Sequence, residues 1–210
     1  MNNIPVFTTE YGVASLILEE IPYKKVAYVT IQATQSPDEL IKEVLEFCHA
    51  CGAETVLAKG HAALERFDYH CTIMKMCSLK LPRAAAKRIP VNEERLQLWQ
   101  DIYNEKMAGV DNAAYMTDQK AREMLQAADG YFVYRDKELL GIGRAAGEEI
   151  SVVAACQKGA GEQVVLSLGE VLTGDRVCVN VASTNIPAIR LYTKLGFAKM
   201  EEISRWYRIG

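Results

Sequence analysis

The sequence predicts an α/β protein with a mixed sheet, organised as two α+β units. Three observations point there. Short β-branched runs alternate with longer stretches whose apolar residues recur at helical spacing. A proline- and alanine-rich basic segment interrupts the pattern between roughly Lys80 and Pro90. The last part of the chain reads strand, capped helix, glycine stop, strand.

In the first half, Val13 to Glu19 and Lys25 to Ala33 are strand candidates, separated by a hairpin-like turn at Ile21-Pro22-Tyr23. Ser36-Pro37-Asp38-Glu39 opens a helix, with serine as cap, proline in the first turn and acids at the positive end of the dipole. Leu40, Val44, Leu45, Phe47 and Cys48 line one side, and Gly52 closes it. Thr55 to Lys59 and Tyr69 to Leu79 are further strands. The boundary falls near residue 85, giving units 1–85 and 86–210, although Ala84 to Ile89 also reads as the first strand of the second unit.

Asn92 caps the next helix, which carries Leu96, Trp99, Ile102, Tyr103 and Met107 on one face, and Thr117 caps another through Ala128. Tyr131 to Arg135 and Glu138 to Ala145 form a tight hairpin around Asp136-Lys137. Glu149 to Ala155 is nearly all apolar, as expected of a strand buried on both faces. A glycine turn follows, Cys156-Gln157-Lys158-Gly159-Ala160-Gly161-Glu162, and opens a helix. Val177 to Val181 is the next strand, and Ile203 to Ile209 alternates like a final one in which Trp206 packs.

Composition excludes several classes. The chain has 210 residues and a formal net charge of -3, which argues against a nucleic-acid footprint. It has no long apolar run, and Met1 to Thr9 lack the regions of a signal peptide, so a cytoplasmic protein is expected. The six cysteines are then expected as reduced thiols. Cys48-x-x-Cys51 lies in a helical run with no second close pair to complete a tetrahedral set, so no metal site is expected.

The most specific signal is Asn185-x-x-Ala188-x-x-Leu191-Tyr192-x-x-x-Gly196-Phe197. Asn185 or Thr184 caps a helix with Pro187 in its first turn, and Gly196 ends it. This pattern closely resembles the signature of the GNAT superfamily, whose acyltransferases move an acyl group from coenzyme A to an amine. The resemblance implies a GNAT-like fold for residues 86–210, with acetyl-CoA as cofactor, a small-molecule or peptide amine as acceptor, and a homodimer as a family habit. The first unit is then either a degenerate GNAT-like copy or an unrelated accessory domain.

Chemistry and resemblance together nominate the site. Gly159 and Gly161 let backbone N–H groups converge at a helix start whose dipole favours anions, with Lys158 adding charge and Ala160 and Glu162 completing the turn. A lone GxG equally describes a simple helix-entry turn. The resemblance implies main-chain contacts from Val153, Ala154 and Ala155 to a pantetheine arm, and a cofactor-contacting amide at Asn185. It also implies that Tyr192 protonates the leaving thiolate, where an isolated tyrosine at that spacing would read as a core aromatic. Glu148 and Glu149 are the best-placed acids for a base, or a solvated pair before a strand. Cys156 stands where the family carries Gln or Arg.

Overall fold

The computed structural model describes residues 5–79, 81–111 and 113–210. Met1 to Ile4, the start of the stretch read for a signal peptide, and Lys80 at the start of the expected linker lie outside the described residues. The chain divides into two compact units: residues 1–73 with 202–210, and residues 74–201. The division therefore falls before residue 85, and the tail returns to the first unit. Two long strands, β5 (Asp68–Ser78) and β11 (Ala198–Arg208), each contribute residues to both.

The first unit opens on a meander of β1 (Val6–Thr9), β2 (Gly12–Ile17) and β3 (Val26–Thr34). The expected hairpin turn at Ile21–Tyr23 is instead one helical turn, α1 (Ile21–Lys24), because Pro22 suits a helix start and Lys25 closes the turn at φ 59°. Helix α2 (Pro37–Ala50) crosses to β4 (Thr55–Lys59), which lies parallel to β3. Ser36 makes no side-chain cap, and Thr34 Oγ1 accepts from the Ser36 amide at 3.1 Å in its place. Leu40, Ile41, Val44 and Cys48 of α2 meet Val29, Ile31 and Val56 of the sheet in one core, where burial pushes the Cys48 thiol up to about 11. Tyr207 of β11 registers with Ala58 of β4 and closes the unit.

The second unit is a sheet in the order β5-β10-β9-β8-β7-β6, built from β6 (Lys87–Pro90), β7 (Gly130–Arg135), β8 (Glu138–Ala146), β9 (Glu149–Ala155) and β10 (Val177–Ala182). Helices α3 (Leu96–Met107) and α4 (Asp118–Ala127) cover one face through Trp99, Tyr103, Ala121 and Met124, packed on Phe132, Ile142 and Ala154. Helices α5 (Gly161–Gly169) and α6 (Ile186–Lys194) cover the other through Val164, Val165, Leu168 and Tyr192, packed on Val133, Val179 and Val181.

Capping follows the sequence closely. Asn92 Oδ1 accepts from the Arg95 amide at 3.2 Å, Thr117 Oγ1 from Lys120 at 3.3 Å, and Asn185 Oδ1 from Ala188 at 3.2 Å. The turn at Asp136 adopts φ 55°, a conformation aspartate tolerates and a two-residue hairpin demands.

Two further expectations are corrected. Cys77 and Cys178 form a disulfide, so the cysteines are not all reduced; neighbouring strands bring the two Cα atoms to 4.1 Å across a separation of 101 residues, a proximity invisible in cysteine spacing. And β9 is not buried on both faces: Ile150 and Ala154 are buried, while Val152, Val153 and Ala155 are half-buried and Ser151 is exposed.

Candidate functional site

The half-burial of β9 has a geometric cause. On one side, β9 pairs antiparallel with β8, in a register that passes from Arg144↔Val152 to Ala145↔Ile150 and leaves Ser151 as an extra, bulged residue. On its other side, β9 meets the parallel strand β10 through a single register pair, Cys178↔Glu149. A bulge bends and twists its strand, so contact with β10 ends where the bulge begins. The stretch from Val152 to Ala155 therefore has no register partner on the β10 side, and an open slot lies between two parallel strands. Val153, Ala154 and Ala155 line its β9 wall.

The glycine turn sits at the far end of that wall. The Cys156 amide donates to the Leu140 carbonyl at 2.8 Å and the Ala160 amide to Gln157 at 3.2 Å, fixing the turn's entry and exit. Gly159 adopts φ 83°, and a Cβ there would meet nothing within 4 Å, so backbone conformation rather than space demands glycine. The amides of Gly161, Glu162 and Gln163 form the first turn of α5 and have no intrahelical acceptor. They converge on open space at the positive end of the helix dipole, beside exposed Lys158. Amides arranged this way can hold an anion. Replacing Gly159 by valine puts a β-branched residue at positive φ; we expect an acyl-CoA dissociation constant at least tenfold higher, read by calorimetry, at a stability cost of roughly 1–3 kcal/mol.

Helix α6 stands behind the turn. A Cβ on Gly161 would lie 3.0 Å from Leu191 Cδ2, so α6 packs directly on the first turn of α5. Glu162 and Lys194 pair between these helices. Asn185 uses its Oδ1 as the α6 cap, leaving its Nδ2 group as the donor it can offer elsewhere. Thr184 Oγ1 donates to Asp111 at 2.5 Å, tying the segment after α3 to the entry of α6.

Tyr192 lies on α6 at 7 % exposure, its ring 5.5 Å from that of Phe197. It belongs to the core cluster under the sheet, and its hydroxyl has no hydrogen-bond partner among the described residues. Burial pushes its phenol up to about 12, so the group holds its proton at every physiological pH. Because the folded pKa exceeds the unfolded value near 10, the associated stability is full below pH 10 and is lost as pH rises toward 12. We expect wild-type protein to lose roughly 2–3 kcal/mol more than Tyr192→Phe across that window, in denaturant melts at each pH.

Glu148 and Glu149 are exposed, at the opposite end of β9 from the glycine turn, about 20 Å away at strand rise. Glu149 Oε1 accepts from Asn180 Nδ2 at 2.9 Å, which orients it beside the β9–β10 register pair to which it belongs. Cys156 is half-buried, and burial pushes its thiol up, opposed by Lys106 and assisted by Glu105. Among the described residues, no three His, Cys, Asp or Glu side chains gather as a metal set, and no helix is long and apolar enough to cross a membrane. The sequence located the helix entry at the glycine turn and the Asn185 cap of α6, but not the bulge at Ser151, whose signal, a polar residue inside an apolar strand, is weak by itself.

The geometry agrees with what the chain is similar to. Residues 153–207 match the family described as FR47-like protein. No curated protein matches the chain. Solved structures do. A functionally unknown conserved protein from Staphylococcus epidermidis superposes with a TM-score of 0.60 at 11 % identity, over 99 % of this chain and 94 % of its own. A GNAT-family acetyltransferase from Colwellia psychrerythraea gives 0.51 at 12 %, over 97 % and 83 %. A tandem GNAT protein from the clavulanic acid biosynthesis pathway gives 0.51 at 12 %, over 95 % and 79 %. The chain has the GNAT-type acyl-CoA N-acyltransferase fold, preceded by an extra N-terminal unit.

Proposed function

We propose that this chain, with its GNAT-type fold, transfers the acetyl group of acetyl-CoA directly to an amine, through residues of the second unit. The observation that carries the reading is the slot: β9 and β10 share one register pair and then part, and the open wall of β9 runs into unbonded amides at the start of α5. Acetyl-CoA supplies the acetyl group as a thioester. Amides from Gly159 to Glu162, with Lys158, hold the diphosphate, and Asn185 Nδ2 donates to the donor's amide-bearing arm. Main-chain groups of Val153, Ala154 and Ala155 hold that extended arm as an added strand would be held.

Two protons must move. The amine must be neutral to attack, and Glu149, oriented by Asn180, takes its proton directly or through water, with Glu148 beside it. Tyr192 gives a proton to the departing thiolate, and a phenol held at about 12 is always charged with that proton. The acceptor is a small-molecule or peptide amine, and a cytoplasmic homodimer is the working state. Release of free thiol from acetyl-CoA across an amine panel tests the reading; no release and no thermal shift with the cofactor would end it.

A second reading, a non-catalytic acyl-CoA sensor, is favoured by one observation, the burial of Tyr192 to 7 % exposure. Cofactor binding with turnover indifferent to Tyr192→Phe selects it.

The first unit is proposed as a degenerate copy. Apart from the single turn α1 between β2 and β3, the order β1-β2-β3-α2-β4 repeats β7-β8-β9-α5-β10, each a meander followed by a parallel crossover. Yet β3 and β4 share five register pairs, Val26↔Thr55 to Thr30↔Lys59, and α2 begins without a glycine turn. One acyl-CoA per chain is the expected stoichiometry.

A further inference from the structure

The two crossovers differ in where the bulge falls. In β9 the extra residue is Ser151, early in the strand; in β3 it is Gln32, near the end, where the register with β2 passes from Val13↔Ala33 to Ala14↔Ile31. Parallel pairing stops two residues before the bulge in both, at Glu149 and at Thr30. The first unit therefore keeps no long slot, but it has a short groove of about 570 Å³ where its pairing ends, at Thr30 and Lys59. That position lies outside the carboxyl ends of parallel strands, where open α/β sheets bind ligands. Its volume suits a small molecule.

The charges lining the groove are matched in an uneven way. Arg205 is neutralised by Glu202 through two bonds of 3.1 Å, Nε to Oε1 and Nη2 to Oε2. Lys59 has no carboxylate partner among the described residues; its ammonium sits 4.9 Å from the Trp206 ring centroid, a contact that leaves its remaining directions open. Glu65 is exposed and has no ion-pair partner among the described residues. His61 Nδ1 accepts from the Ala63 amide at 3.1 Å, which fixes its neutral tautomer with an N–H at Nε2. The groove thus presents one unmatched cation, one unmatched anion and a neutral donor, with Ala62 and Ile203 as apolar wall and the Tyr207 hydroxyl already engaged with Arg205. A free anion would meet Glu65, and a free cation would meet Lys59. A dipolar ion satisfies both.

We propose that this groove binds a free α-amino acid with an apolar side chain, its carboxylate on Lys59 and the His61 Nε2–H, and its ammonium on Glu65. The site is separate from the proposed transfer slot and stands whether or not that slot is catalytic. Calorimetric titration of the full chain with L-leucine, acetate, methylammonium and inorganic phosphate tests it. L-Leucine is expected to bind, with acetate and methylammonium at least tenfold weaker. Lys59→Ala and Glu65→Gln are each expected to raise its dissociation constant tenfold or more, with the melting temperature unchanged for exposed Glu65→Gln and lowered by no more than a few degrees for Lys59→Ala, which gives up the Trp206 contact. Phosphate binding in preference to L-leucine, L-leucine binding indifferent to either substitution, or no L-leucine binding would overturn the proposal.

Discussion

Replacing Tyr192 by phenylalanine is expected to lower the turnover of acetyl transfer by about 100-fold or more, the scale of a lost general acid, while leaving acyl-CoA affinity within about twofold. The separation of effects follows from position. The ring fills the core beside Phe197 and phenylalanine keeps that packing, so the fold and the slot survive the change. The hydroxyl has no hydrogen-bond partner among the described residues, so its removal strands no donor or acceptor, and the melting temperature is expected to hold or rise slightly. Steady-state kinetics with thiol detection, paired with calorimetry, reads both quantities. Unchanged turnover would move the chain to the sensor reading.

Reducing the disulfide is the second large effect. Cys77–Cys178 spans 101 residues, and closing a loop of that length in the unfolded chain is worth about 4–5 kcal/mol on the chain-entropy account. Loss of that much is expected to lower the melting temperature by on the order of 10 °C. Cys178 is also the β10 residue in register with β9, so the crosslink secures the base of the slot, and reduced protein is expected to bind acyl-CoA more weakly. The cysteines outside the disulfide are Cys48, Cys51, Cys71 and Cys156. Unreduced protein, denatured and titrated, should therefore show four reactive thiols; a count of six would contradict the pairing.

What was legible in the sequence divides along the line between local and long-range information. Caps at Asn92, Thr117 and Asn185, the stop at Gly196 and the strand Thr55–Lys59 were readable because each depends on neighbours a few residues away. The glycine turn was readable for the same reason, since Gly159 needs its positive φ and the start of α5 supplies the amides. Pairing was not. The disulfide depends on β5 and β10 becoming neighbours, and the slot depends on the register of β9 against two strands at once. The nearly all-apolar run from Glu149 to Ala155 suggested full burial because apolar composition cannot distinguish a strand covered on both faces from one lining an open slot. The groove at Lys59, His61, Glu65 and Arg205 was missed because the tail that supplies Arg205 returns to a unit from which it is separated by most of the chain.

The central claim is that the unpaired wall of β9 and the first turn of α5 together grip one acyl-CoA. Hydrogen exchange measured with and without coenzyme A tests it most directly. The account predicts that the ligand slows exchange at the amides of Val152 to Ala155 and of Gly159 to Gln163, while β3 and the start of α2 exchange at unchanged rates. Binding that protects the first unit instead, or leaves both β9 and the glycine turn unprotected, would contradict it.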